Sequence, residues 1–180
     1  MEGRGMNQGP RILIFTGDGK GKTTAALGMA LRASGHGRRS CVVQFVKADA
    51  SVGEVRAAAA TDRIVVVQAG LGFLPPASDP QFSEHRAAAQ QGLRKAAELI
   101  AEGEFSLVIL DEICLAVERR LVDERHVADL LTQASPAVCL VLTGRGAPPG
   151  LIALADTVTE MRCIKHAFQQ GRTAEEGVER

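Results

Sequence analysis

The chain predicts a single α/β domain, with a mostly parallel sheet covered by helices on both faces. Two patterns carry that expectation. Short apolar runs rich in β-branched residues alternate with Ala-rich stretches of helical length. Five of those runs are 6 or 7 residues long, which suits strands buried on both sides. A length of 180 residues points to one well-packed core rather than two.

The elements follow in order. RILIFT, at 11–16, is the first strand, and the helix after it spans 22–33, ended by the signals at Gly35 and Gly37. SCVVQFV at 40–46 and RIVVVQ at 63–68 are the second and third strands. AGLGFLPPASDP, at 69–80, is a Gly/Pro-rich loop long enough to be functional. A long helix over 80–102, stopped by Gly103, leads to the strand FSLVIL at 105–110. Asp123 is the N-cap of a short helix reaching Gln133, AVCLVLT at 137–143 is the fifth strand, and ADTVTEM near Asp156 adds a last strand at the sheet edge. Residues 1–10, polar and Gly-rich with no apolar segment behind them, read as a disordered tail outside a domain of residues 11–180 rather than as a signal peptide.

Charge and aromatic content narrow the function. Lys+Arg and Asp+Glu both total 21, so no net charge favours a nucleic-acid backbone, and six Phe with no Trp or Tyr leave few base-stacking platforms. No apolar run approaches the roughly 20 residues that span a bilayer, so no membrane partner is expected. Cys41, Cys114, Cys139 and Cys163 have no metal-ligand or Cys-x-x-Cys spacing and read as buried thiols of a cytoplasmic protein. His36, His85 and His126 likewise show no metal spacing.

TGDGKGKTT, at 16–24, joins the first strand to the first helix, which is the setting a phosphate-binding loop requires. Gly17, Gly19 and Gly21 allow backbone N–H groups to converge on phosphate oxygens at the positive end of the helix. In this reading Asp18 and Thr24 belong to the loop, Lys22 supplies a full charge, Lys20 a second one, and the Thr23 hydroxyl a ligand for Mg²⁺. The strict loop pattern asks for glycine at 16, where this chain has Thr16. LVILDE, at 107–112, is a strand ending in two carboxylates at the same edge of the sheet. Because adjacent strand residues face opposite ways, one of Asp111 and Glu112 points at the ion while the other orients water or caps the next helix. Arg145, in TGRG after the fifth strand, is either a fork for phosphate oxygens or a surface charge, and Arg32 is similarly open.

FTGDGKGKTTAALG, GHG followed by VVQFVK, GFLP, LDEI, LTGRG, ADTVTEM and KHAFQQG together resemble, in order and spacing, the ATP:corrinoid adenosyltransferases of the CobA/CobO/BtuR type. The resemblance runs from about residue 11 to residue 180. It implies a RecA-like P-loop fold that transfers the 5′-deoxyadenosyl group of ATP to Co(I) of a corrinoid and releases triphosphate. The substrate it implies is cobalamin, cob(I)yrinic acid a,c-diamide or a cobinamide-type precursor, in adenosylcobalamin biosynthesis or salvage. By that resemblance Gly17 to Thr24 bind ATP phosphates, and Lys22 stabilises the leaving triphosphate. Thr23 and Glu112 ligate Mg²⁺ or Mn²⁺, while Arg32 and Arg145 touch the nucleotide. Phe73 faces the corrinoid, helping to keep its lower axial base off the cobalt. Some family members carry Trp two residues later, where this chain has Pro75. An electron donor such as a reduced flavoprotein and a homodimeric state are also implied. The alternatives on the residues alone are a γ-phosphoryl kinase or hydrolase and a nucleotide-sensing module, and Phe73 itself could be an ordinary core residue.

Overall fold

The structure is a computed structural model that describes residues 9–167 and 171–178. Of the tail expected over 1–10, residues 1–8 lie outside that range, as do 168–170 of KHAFQQG. Six strands, β1 (Arg11–Thr16), β2 (Ser40–Gln44), β3 (Ile64–Gln68), β4 (Leu107–Asp111), β5 (Cys139–Thr143) and β6 (Thr157–Glu160), form one sheet in the order β3-β2-β4-β5-β1-β6. Every neighbouring pair is parallel. The connections are α1 (Lys22–Gly35), α2 (Gly53–Ala59), α3 (Phe82–Glu102), α4 (Ile113–Glu118), α5 (Glu124–Gln133) and α6 (Pro149–Leu154). The α/β class and the edge position of the last strand are as the sequence predicts.

Period-two alternation divides the core into two layers. Ile12, Ile14, Cys41, Val43, Val108, Leu110, Leu140 and Leu142 face the larger layer, which α3 and α5 cover through Ala89, Ala96, Val127 and Leu131. Val42, Leu107, Ile109 and Val141 face the other way, onto Ala26 and Ala30 of α1. Alanine at both contact positions lets α1 lie close to the sheet, so its first turn reaches the carboxyl ends of the strands.

Three short helices, α2, α4 and α6, go beyond the sequence-based expectation, since 6 or 7 residues display too little of a 3.6-residue period. Asp123 caps α5 as predicted, its side chain accepting from the Arg125 N–H. The thiols need correction. Cys41 and Cys114 are buried, with burial pushing them up to about 11 and about 12, but Cys139 is half-buried and Cys163 is exposed. Cys139 opens β5 at the rim of the thinner layer, and Cys163 lies beyond the last strand.

Candidate active site

The chain leaves β1 through Gly17 and enters α1 from Gly21, both with positive φ, at 94° and 119°. Glycine is needed here for a second reason. The loop is pressed under the segment that follows β6: the Gly19 N–H donates to the Met161 carbonyl at 2.7 Å, and a Cβ on Gly17 or Gly19 would collide with that same oxygen. Position 16 needs no glycine, because Thr16 is still in β1 and its hydroxyl accepts from the Ala147 N–H at 3.3 Å. Lys22 is buried, and its Nζ donates to the Gly17 and Gly19 carbonyls at 2.7 and 2.8 Å. Burial pulls its pKa below the usual lysine range, against the opposing charge of Glu112. The ammonium therefore sits inside the loop, held by two of its carbonyl oxygens.

Beside the loop, β3, β2, β4 and β5 end in Gln68, Gln44, Asp111 and Thr143, one polar residue at the close of each apolar strand. Parity places all four on the α1 side of the sheet. Gln68 Nε2 donates to Gln44 Oε1 at 3.0 Å, and Gln44 Nε2 donates to Asp111 Oδ2 at 3.4 Å. Asp111 Oδ1 accepts from Thr143 at 2.7 Å and from Thr23 at 2.8 Å. The Asp111 side chain is 0% exposed, so this row holds a buried carboxylate against the first turn of α1.

Glu112 turns away at φ 64° to stand at the N-cap of α4, its N–H donating to Thr143 Oγ1 at 2.9 Å. Its side chain lines the cleft above the loop. Burial and the neighbouring charge of Asp111 raise its pKa. The left-handed turn at Glu112, just past the end of β4, thus separates the two carboxylates: Asp111 meets Thr23 directly, and Glu112 faces the open cleft.

That cleft, of about 450 Å³, is bounded by residues 18–24, Lys47, Glu54, Glu112 and Arg145. Arg145 lies 3.8 Å from Asp18, and Lys20 donates to the Val178 carbonyl at 2.7 Å, so the C-terminal segment crosses one side of the mouth. Arg32 is not brought here. It occupies the last turn of α1, exposed, at the far end of the helix from the loop.

Two residues missed from sequence complete the wall. Lys47 ends the run VVQFVK, and its Nζ sits 2.7 Å from Glu54 Oε1 and 3.7 Å from Asp111 Oδ2. Burial opposes the charge of Lys47, but the two carboxylates prevail and its pKa is raised; burial likewise opposes the charge of Glu54, yet the Lys47 hydrogen bond lowers its pKa. The available signal was a lysine directly after a buried strand at its carboxyl end.

Lys47 is also shared with a second cleft of about 660 Å³, lined by Val46, Val52, Phe73, Leu74, Leu115 and Arg119 among others. The loop carrying Phe73 is tied to the exit of β2 by N–H groups of Ala69 and Gly70 on the Gln44 carbonyl and of Gly72 on the Val46 carbonyl. Phe73 is 92% exposed, so it is not a core residue. A polar, cationic cleft and a mostly apolar one therefore meet at a single lysine.

The donors fit a divalent ion that arrives with a polyphosphate. Among the described residues no group of three or more His, Cys, Asp or Glu side chains converges, so the protein can offer the Thr23 hydroxyl with Asp111 or Glu112, and phosphate and water must supply the rest. That division suits Mg²⁺, which keeps several waters and commonly binds through one or two carboxylates plus substrate phosphates. Among the same residues no helix is long and apolar enough to cross a membrane.

A family model described as ATP:corrinoid adenosyltransferase BtuR/CobO/CobP matches residues 8–180. The chain belongs to the ATP:corrinoid adenosyltransferase family. It is 43% identical to a corrinoid adenosyltransferase of Pseudomonas aeruginosa over 171 residues, covering 93% of this chain and 82% of the relative. Two further relatives, a corrinoid adenosyltransferase of Escherichia coli K12 and corrinoid adenosyltransferase CobA of Salmonella typhimurium, are each 36% identical over 93% of this chain and 84% of their own length. Among solved structures, a KaiC-like protein of Pyrococcus horikoshii aligns with TM-score 0.57 at 18% identity, over 88% of this chain and 75% of that one. The flagellar accessory protein FlaH of Methanocaldococcus jannaschii aligns with TM-score 0.56 at 12% identity, over 85% and 71%. These two likenesses show the P-loop NTPase-like fold of this chain.

Proposed function

We propose that this chain transfers the 5′-deoxyadenosyl group of ATP to Co(I) of a corrinoid, either cobalamin or a precursor such as cob(I)yrinic acid a,c-diamide or a cobinamide. The observation that carries the reading is the meeting of the phosphate cleft and the apolar Phe73 cleft at Lys47, which lines both. A kinase needs only the first cleft and a small acceptor. A flat, largely apolar macrocycle needs the second, placed so that its metal faces the ribose end of the nucleotide.

In this reading the bond that forms is Co–C5′ and the bond that breaks is C5′–O, with the electron pair leaving on triphosphate. The loop N–H groups, Lys22, Lys20 and Arg145 hold that leaving group, and Lys22 exchanges its two carbonyl partners for phosphate oxygens. Thr23 with Glu112, backed by Asp111, would hold Mg²⁺ or Mn²⁺, which supplies charge neutralisation on the phosphates. No side chain needs to act as a nucleophile, so the protein's contribution is alignment and electrostatics. Phe73, solvent-exposed on its loop, packs against the corrinoid face. A reduced flavoprotein as electron donor and a homodimeric assembly belong to the same proposal through family membership.

The test is anaerobic incubation with MgATP and chemically reduced cobalamin, following the corrinoid spectrum and identifying the phosphate product. Light-sensitive adenosylcobalamin with triphosphate is the expected result. ADP with an unchanged corrinoid would replace the proposal with γ-phosphoryl chemistry.

A further inference from the structure

Lys47 is given no role by the proposed reaction, yet it is the cation nearest the buried carboxylate. Asp111 Oδ1 is occupied by two hydroxyls, from Thr23 and Thr143, while Oδ2 faces Lys47 Nζ at 3.7 Å and Gln44 Nε2 at 3.4 Å. Glu54 of α2 closes on the same ammonium from the other side at 2.7 Å, and Gln44 reaches this carboxylate too, at 3.4 Å. One ammonium thus serves two carboxylates on different elements, one carboxylate away from Thr23. A divalent ion bound at Thr23 brings two further positive charges into the same few ångströms, where like charges repel strongly. The Lys47 side chain is 34% exposed and lies at the seam of two open clefts, so it has somewhere to go.

We propose that Lys47 is a resident counter-ion which holds the charge of Asp111 and Glu54 in the nucleotide-free protein and is displaced when the divalent cation enters. The lysine and the metal ion compete for one carboxylate, Asp111, which Lys47 Nζ approaches at Oδ2 and Thr23 at Oδ1. Free divalent ions are held off the empty site, and metal and nucleotide enter together, because only the polyphosphate brings enough ligands to outcompete a covalently attached ammonium. Once released, Lys47 stands between the two clefts, free to meet the polyphosphate. By reciprocity, whatever weakens Lys47 at this position strengthens the metal there. The inference rests on the reading that a divalent ion binds beside Thr23, but not on adenosyl transfer.

The test measures Mn²⁺ binding to the nucleotide-free protein by electron paramagnetic resonance. Lys47→Met is expected to tighten Mn²⁺ on the order of tenfold, and Lys47→Arg, which keeps the charge, to leave it as in wild type. Equal affinity in wild type and Lys47→Met overturns the displacement. Wild-type protein with ATP is the control for the underlying reading: Mn²⁺ bound no more tightly with ATP than without it sinks the metal site itself, and the displacement with it. Should Lys47→Met fail to fold, site-resolved acetylation of wild type decides. Lys47 is expected to become several-fold more reactive when Mn²⁺ saturates the protein, and unchanged reactivity overturns the proposal.

Discussion

The hydroxyl of Thr23, in the first turn of α1, donates to Oδ1 of Asp111, at the end of β4, over 2.8 Å. Two segments 88 residues apart in sequence are joined by that bond, and it fixes where the helix that carries the phosphate loop meets the sheet. Thr143 donates to the same oxygen and accepts from the Glu112 N–H, so it orients both acidic residues at once. Thr143→Val leaves that N–H without its partner and Asp111 with one bond fewer. A loss of about 1–3 kcal/mol is expected in urea unfolding. Unchanged stability would mean that water replaces the hydroxyl at no cost.

Lys22→Ala removes the ammonium at the centre of the loop. Turnover should fall by about 10²–10³-fold, the scale of a lost oxyanion donor, in a single-turnover assay at saturating ATP. Near-normal turnover would take leaving-group stabilisation away from this residue.

Gly19 has no positive φ, so an alanine there is a purely steric probe. Its Cβ would come within 2.7 Å of the Met161 carbonyl oxygen, a backbone atom that cannot swing aside as a flexible side chain would. Gly19→Ala should cost about 1–3 kcal/mol, the range of overpacked sites, and weaken ATP binding measured by calorimetry. If both are unchanged, the loop is not pinned by the segment after β6.

Phe73 at 92% exposure contributes little to the folded core. Phe73→Ala should leave stability within about 0.5 kcal/mol while impairing adenosylation that starts from Co(II) more than from chemically reduced Co(I). Equal losses in the two assays would remove any part in cobalt reduction.

The Lys47–Glu54 pair makes stability depend on pH. Burial works against the Glu54 carboxylate, but the hydrogen bonds from Lys47, the backbone and Gln44, with the charge of Lys47, together outweigh it and hold the folded-state pKa below 4.5. A depressed carboxylate stabilises the fold above its unfolded value and loses that contribution as pH falls through the folded one. Lys47, with its pKa raised, loses its own share only above 10.5. Glu54→Gln should therefore be less stable than wild type at neutral pH, with the gap narrowing once pH drops below 4.5. A gap of constant size across that range would assign the effect to packing alone.

Much of this was legible in the sequence because it is written in local patterns. The strand RILIFT, the glycines at 17 and 21 and the helix from Lys22 are consecutive, so the loop is read from spacing alone. The carboxylate pair at 111–112 was legible for the same reason, but its division of labour required the sheet, since Thr143 and Gln44 reach Asp111 only through cross-strand neighbours. Lys47 and Glu54 escaped because their pairing depends on α2, which is too short to announce itself. Arg32 shows the converse: a helix that begins at the loop puts this residue in its last turn, away from the phosphates, and only the family resemblance assigns it to the nucleotide. The tolerance for Thr16 could not be read either, because its hydroxyl partner, Ala147, comes from the opposite end of the chain.

The clamp of β6 on the phosphate loop also dictates when the loop can form during synthesis. Ile12 and Asp156, 144 residues apart, exchange hydrogen bonds as β6 docks on β1, and Met161 then closes over Gly19. A ribosome that has released only the first strand and helix has exported the whole phosphate-loop motif, but not the segment that holds its glycines in shape. The motif nearest the N-terminus is thus among the last parts of the molecule to become structurally complete, and a chain stalled before β6 carries the motif without its clamp.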